Sequence, residues 1–242
     1  MAEKNVTTTT TTVPNADVVT RAKGFWEKNS KPIIYVGTAI ILLIGGWYAY
    51  KYFVVIPKQN QASDMIFPAE NLFDKMASSG FNKDSVNLVL NGGVSSDGSN
   101  IPGILKVINK YGGTSSGNRA KYIAGATYLQ IKDFDKAIKY LKEFDGNGAS
   151  QIQSKAYIML GHAYAEKKNA DEALSYYKKA ATVNPKDESI TSYALLMAAS
   201  YADAVGKTKE AIEMYKDFKN KYPGNSSIGD VEKHLARLGV VE

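Results

Sequence analysis

The chain contains no cysteine and only two histidines, His162 and His234. Without cysteine there is no disulfide framework, no thiolate nucleophile and no Cys-ligated zinc, and the redox compartment stays open. A lone His162 with no second ligand nearby is read as a polar contact and not as a metal ligand. Glycine-rich phosphate loops and nucleophile elbows are also missing. Acidic and basic residues fall at helical i, i+4 spacing, as in Asp135 with Lys139, the pattern of a solvated face. The chain is therefore expected to be non-enzymatic and without cofactor or metal. One-signed charge is scarce as well. Residues 1–58 carry seven Lys or Arg against three acids, leaving 23 against 21 in the rest. Duplex binding needs a concentrated basic face, so nucleic acid is set aside as a partner.

What is present begins with an apolar run. From Pro32 to Tyr50 no residue is charged, and apolar character continues past Lys51 to Ile56. A bilayer core is crossed by about 20 helical residues. A buried helix of a soluble core and a cleaved signal peptide are the competing readings. Trp47, Tyr48, Tyr50, Tyr52 and Phe53 follow the apolar centre as an interfacial belt, with Lys51 positioned to reach the headgroups, and this favours a retained anchor. The bilayer is thus one expected partner, through a single transmembrane helix over 32–56. Arg21, Lys23, Lys28 and Lys31 precede the span and favour a cytoplasmic N-terminus. Ahead of them, the threonines of 7–12 predict a disordered tail, so that 1–31 reads as tail plus basic juxtamembrane segment. Gly45 and Ala49 form a small-xxx-small pair, a candidate face for a membrane partner.

Behind the run a period emerges. Leu160, Gly161, Tyr164, Ala173, Tyr177, Ala180 and Pro185 resemble the tetratricopeptide repeat pattern. Gly125, Tyr128, Ala137, Leu141 and Phe144 lie one period earlier, and Ala198, Tyr201, Ala211, Tyr215, Phe218 and Pro223 lie one period later. The expected fold is all-α: one N-terminal transmembrane helix followed by a tetratricopeptide α-solenoid, with three repeats and a C-terminal capping helix over 118–242. Gly161 and Ala173 are read as the point where two helices approach closely, with Tyr164 and Tyr177 filling the space beside it. Lys-Lys-Asn at 167–169 and Val-Gly-Lys at 205–207 predict turns, and Asn184-Pro185 and Tyr222-Pro223 predict helix stops. Residues 57–117 are expected to hold a degenerate helical hairpin interrupted by a glycine-rich surface excursion. Within it, Val86, Leu88 and Leu90 alternate as in a short strand. The Ser-Ser-Asp-Gly-Ser-Asn stretch at 95–100 lacks the spaced carboxylates of a calcium loop.

The tetratricopeptide resemblance implies a concave, partner-binding groove. Its positions fall on Arg119, Tyr122, Ala126 and Leu129 in the first copy. They fall on Lys155, Ile158, His162 and Ala165 in the second, and on Leu195, Ala199 and Ala202 in the third. The Lys and Asn of repeat proteins that clamp a C-terminal carboxylate are replaced here by Tyr122, Ala126, Met159, Ser192 and Leu196. A hydrophobic segment or amphipathic helix is therefore the expected occupant.

Layout adds one more resemblance. Gly-Phe-Trp-Glu-Lys-Asn-Ser-Lys at 24–31, a span ending in Gly-Gly-Trp-Tyr-Ala-Tyr-Lys-Tyr-Phe at 45–53, and a repeat domain behind it are similar to the YfgM-like ancillary subunits of the bacterial Sec translocon. That resemblance implies a single-pass inner-membrane protein with a periplasmic C-terminal domain. Its implied partners are the Sec translocon and a membrane-anchored periplasmic chaperone of the peptidyl-prolyl isomerase class. An envelope-organising or assembly scaffold for cell-division or outer-membrane biogenesis proteins is the alternative.

Overall fold

In the computed structural model, residues 16–240 are described, with side chains from Val18 onward. The threonine run of 7–12 lies outside them. Two compact units, divided after Pro57, are each described by themselves.

The first unit is helical. α1 runs over Ala16–Tyr50 and passes into a π-helical turn, Lys51–Val55. The expectation of an unstructured tail up to residue 31 is corrected for residues 16–31: the helix begins at least sixteen residues before the apolar run. Pro32 sits inside it and removes one backbone donor without ending it. The helix has an 18-residue window apolar enough to cross a membrane, none of it buried within the protein. At its end Lys51 Nζ stands 5.1 Å from the Trp47 ring centroid, so the lysine covers an aromatic belt residue.

The second unit is built from α2 (Ile56–Ser79) from Lys58 onward, α3 (Lys83–Asn91), the two-stranded β1 (Gly92–Val94) and β2 (Asn100–Pro102), and α4 (Ile104–Tyr111). Three helix pairs follow: α5 (Ser115–Gln130) with α6 (Phe134–Glu143), α7 (Ser150–Glu166) with α8 (Ala170–Thr182), and α9 (Glu188–Ala204) with α10 (Thr208–Lys221). The last helix is α11 (Ile228–Arg237).

Residues 86–90 are helical, which corrects the strand reading. The Asn82 side chain caps α3 by accepting from the Ser85 N–H at 2.9 Å. Val86, Val89 and Leu90 are buried, an i, i+3, i+4 face. Nor is this stretch a mere surface excursion, because Ile101, Ile104, Val107 and Tyr111 join the same core as Ile66 and Met76 of α2. The strands pair antiparallel, Gly93 opposite Ile101. Gly92 closes the base of this ribbon with φ +83°, and a Cβ there would stand 2.6 Å from the Ile101 carbonyl oxygen. Asp97 shapes the tip by accepting from the Ser95 hydroxyl and the Ser99 N–H. These hydrogen bonds lower its pKa to about 2.

Each helix pair repeats one geometry. Lys132, Lys168 and Gly206 occupy the same left-handed turn position, with φ 63°, 58° and 77°. The next residue in each case returns its N–H to the first helix, onto the carbonyls of Tyr128, Tyr164 and Ala202. Asp133 and Asn169 then cap α6 and α8. Gly161 is where the close approach occurs: a Cβ on it would lie 2.6 Å from Cδ1 and 2.8 Å from Cζ of Tyr177. Gly125 plays the same part against Leu141. Tyr164 packs against the cluster that contains Ala173 and Tyr177. It stacks on Tyr176 at 5.5 Å with the Lys142 ammonium above it.

Neighbouring pairs are tied by ions. Asp135 meets Lys167 of the following pair, where sequence spacing suggested Lys139, and Asp171 meets Lys207 one pair further on. At the end of the stack, Arg237 and His234 of α11 both reach Asp203 of α9. Burial of Val231 and Leu235 completes the cap.

Candidate functional site

The first helix of each pair turns one face towards the inside of the stack, and the expected groove residues separate there into two groups. Ala126, Ile158, Leu195, Ala199 and Ala202 are buried by the protein's own packing. Leu129 and Ala165 are half-buried and packed against the core clusters. The five buried residues hold neighbouring helices together and offer no open groove surface, which corrects the expectation for them, whereas Leu129 and Ala165 keep part of their surface exposed. Small residues at Ala126, Ala199 and Ala202 permit close helix packing.

His162 is half-buried, with Nδ1 2.9 Å from the Tyr177 hydroxyl. Burial holds its pKa below the usual imidazole range, although Glu166 opposes this. The same hydroxyl is pushed above the ordinary phenol range by burial. His162 therefore anchors the ring that fills the space over Gly161. Among the described residues no group of three or more His, Asp or Glu side chains is placed to hold a metal ion.

Arg119, Tyr122 and Lys155 remain accessible, and the structure gathers them around one cavity of about 510 Å³ between α2, α5 and α7. Phe73, Tyr122, Phe144 and Ile152 supply its apolar surface. The Tyr122 and Phe144 rings pack at 5.3 Å, and burial raises the Tyr122 hydroxyl's pKa. Arg119 crosses to Glu70 of α2 at 3.2 Å, where both groups are partly exposed, so the pair positions the rim and contributes about 0–1 kcal/mol. One end of the cavity is closed by the loop after α6. There Asn118 accepts from the Asp145 N–H at 3.0 Å and donates to the Asp145 carbonyl.

Phe73, Phe144 and Ile152 were not among the expected site residues. Ile152 is 44% exposed in mid-groove, an apolar residue one turn before Lys155 on the same helix. Phe73 comes from α2, outside the repeats, where repeat projection has no positions to offer. Other depressions occur: one of about 330 Å³ beside Tyr193 and Leu196, and one of about 630 Å³ between α3 and the α5–α6 turn. The second is rimmed by Asn82, Lys83, Asn87, Asp133 and Lys136.

Comparison with known families matches residues 119–144 and 154–187 to a tetratricopeptide repeat family and residues 193–225 to a second tetratricopeptide repeat family. The three matches fall on the three helix pairs, so this part of the chain is a tetratricopeptide solenoid, an architecture that mediates protein–protein interaction. No curated protein matches the chain.

Proposed function

We propose that the protein is a membrane-anchored, non-catalytic scaffold whose repeat domain holds a polypeptide on the periplasmic side of a bacterial inner membrane. Its partners in this reading are the Sec translocon and a membrane-anchored peptidyl-prolyl isomerase-type chaperone, with the role of assisting translocation or folding. The observation that carries the scaffold reading is the cavity between α2, α5 and α7. It presents Phe73, Tyr122 and Ile152 between the charged groups of Arg119 and Lys155. Apolar surface with a few convergent polar groups suits a hydrophobic side chain of a passing segment, fixed in direction by the rim.

The anchor reading is supported by the unburied apolar window of α1 and its aromatic end. Confinement beside a membrane channel raises the local concentration of the repeats near emerging chains. The cluster of Arg21, Lys23, Lys28 and Lys31 before the span supports a cytoplasmic N-terminus. The Sec assignment rests on the lead-in and span sequences at 24–31 and 45–53 together with this layout.

Purification from native membranes in mild detergent, followed by mass spectrometry, tests the partners. Co-purification of channel subunits and a periplasmic isomerase is expected. Recovery of cell-division or outer-membrane assembly proteins in their place would move the scaffold to envelope organisation. A reporter fused after Glu242 tests sidedness, with activity expected only from a reporter that works outside the cytoplasm.

A further inference from the structure

The helical segment before the apolar run has an exposed face that none of the described residues covers. At about 100° of rotation per residue, Val18, Val19, Ala22, Phe25 and Trp26 fall within an arc of roughly 120°. Phe25 is 62% exposed and Trp26 54%, and the two valines are exposed as well. Asn29 falls within the arc, but its side-chain amide donates to the Phe25 carbonyl at 2.9 Å, which masks part of its polarity. The same periodicity places Arg21 and Lys28 along one border of the arc and Lys23 along the other, with Glu27 and Lys31 facing away. Residues 16–31 carry four cations against Asp17 and Glu27.

We propose that residues 18–31 form an interfacial helix that lies on the leaflet where the span begins and binds anionic lipid headgroups there. Its apolar arc enters the boundary between headgroups and acyl chains, and Arg21, Lys23 and Lys28 extend outward from its borders to lipid phosphates. Two features select a lipid surface over a protein partner. The cations flank the apolar arc on both sides, as an anionic bilayer surface requires. The segment is also continuous with the apolar run, which holds it at the membrane whatever else it meets. Pro32 lies at the junction and, lacking an N–H, leaves the Lys28 carbonyl without its helical donor, which supplies the place for a bend between the in-plane and spanning parts. This inference rests on reading α1 as a membrane span.

The test uses the full chain with Trp47→Phe, which leaves Trp26 as the only tryptophan. The protein is reconstituted into vesicles of phosphatidylcholine alone or of phosphatidylcholine with phosphatidylglycerol. In the anionic vesicles Trp26 emission should shift to the blue and be quenched by lipids brominated near the headgroup, and added salt should weaken both effects. Replacing Arg21, Lys23 and Lys28 by Gln should lower the ratio of bound to free segment about fivefold per residue, whereas Lys31→Gln, on the face turned away, should change it less. Equal quenching in both lipid mixtures would overturn the headgroup preference. Trp26 fully open to water in anionic vesicles would overturn the proposal outright, and so would Trp26 shielded from water yet unreached by brominated lipid, because another protein surface would then cover it. The Trp26→Phe chain, reporting from Trp47, separates the two readings. An unquenched Trp47 means that the span itself is wrong, whereas a quenched Trp47 beside a water-exposed Trp26 leaves the span standing and removes only the interfacial helix.

Discussion

Alanine at Gly161 would ordinarily help a helix, since glycine in a helix interior is disfavoured by about 1 kcal/mol relative to alanine. Here the added methyl would lie 2.6 Å from Tyr177 Cδ1, well inside contact distance. The Tyr177 side chain is 2% exposed and its hydroxyl is bonded to His162, so the ring has no free space to swing into. Overpacking of this kind costs about 1–3 kcal/mol, which offsets the propensity gain and leaves a net loss of about 0–2 kcal/mol. Leucine, with three more carbons to place, should lose at least about 3 kcal/mol. In thermal unfolding followed by far-ultraviolet circular dichroism, each kcal/mol lowers Tm by about 2–4 °C for a domain of this size. Gly229→Ala is the internal control: it is helical, a Cβ there meets nothing within 4 Å, and the substitution should leave Tm unchanged or raise it. If Gly161→Ala and Gly161→Leu melted with the parent or above it, the close approach of α7 and α8 would not be the reason for the glycine.

Other expectations follow from the same contacts. Burial depresses the folded-state pKa of His162, so the unfolded chain binds a proton first as pH falls. Stability contributed by neutral His162 should be complete above the usual imidazole range and decline as pH drops below about 6.5 towards the depressed value. Parallel denaturant titrations of the parent and His162→Gln should show that slope only in the parent. Tyr177→Phe removes the hydroxyl that meets His162 and should cost about 1 kcal/mol in the same assay. Gly206→Ala places a side chain at φ 77° and should cost about 1 kcal/mol, seen as a lower unfolding midpoint in urea. Asp203→Ala releases Arg237 and His234 and should speed amide exchange in α11 about fivefold, for a contribution near 1 kcal/mol, while α7 and α8 exchange as before.

The repeats were legible because several residue types recur together at one spacing. Gly161, Tyr177 and the turn at Lys168 constrain each other sterically, and a pattern with that much mutual dependence identifies its own geometry. Val86, Leu88 and Leu90 point to a strand by sequence because they alternate over a stretch too short to separate a period of two from one of 3.6. The Asn82 cap preceding Ser85 and the Val86, Val89, Leu90 spacing were the signals for the helix. Over 16–31, the four cations give the composition of a solvated tail, and the apolar arc of Val18, Ala22, Phe25 and Trp26 emerges only when the residues are placed at helical spacing. At the groove, projection found Arg119, Tyr122 and Lys155. It could not tell these from Ala199 or Ala202, because an alanine facing inward in one repeat is covered or uncovered depending on how closely the next repeat stacks. Phe73 was out of reach, since α2 carries no repeat signal and its contribution is decided by tertiary packing alone.

Site-specific photocrosslinking from position 152 in native membranes tests the cavity as a polypeptide-binding site most directly. Ile152 is exposed within the cavity and makes no hydrogen bond or ion pair whose loss would disturb the fold. A crosslink to a translocon subunit, a periplasmic chaperone or an emerging chain, abolished by Tyr122→Glu, is the predicted result. Absence of any protein adduct from position 152, with adducts from the exposed position 216 of α10 instead, outside the cavity, would contradict it.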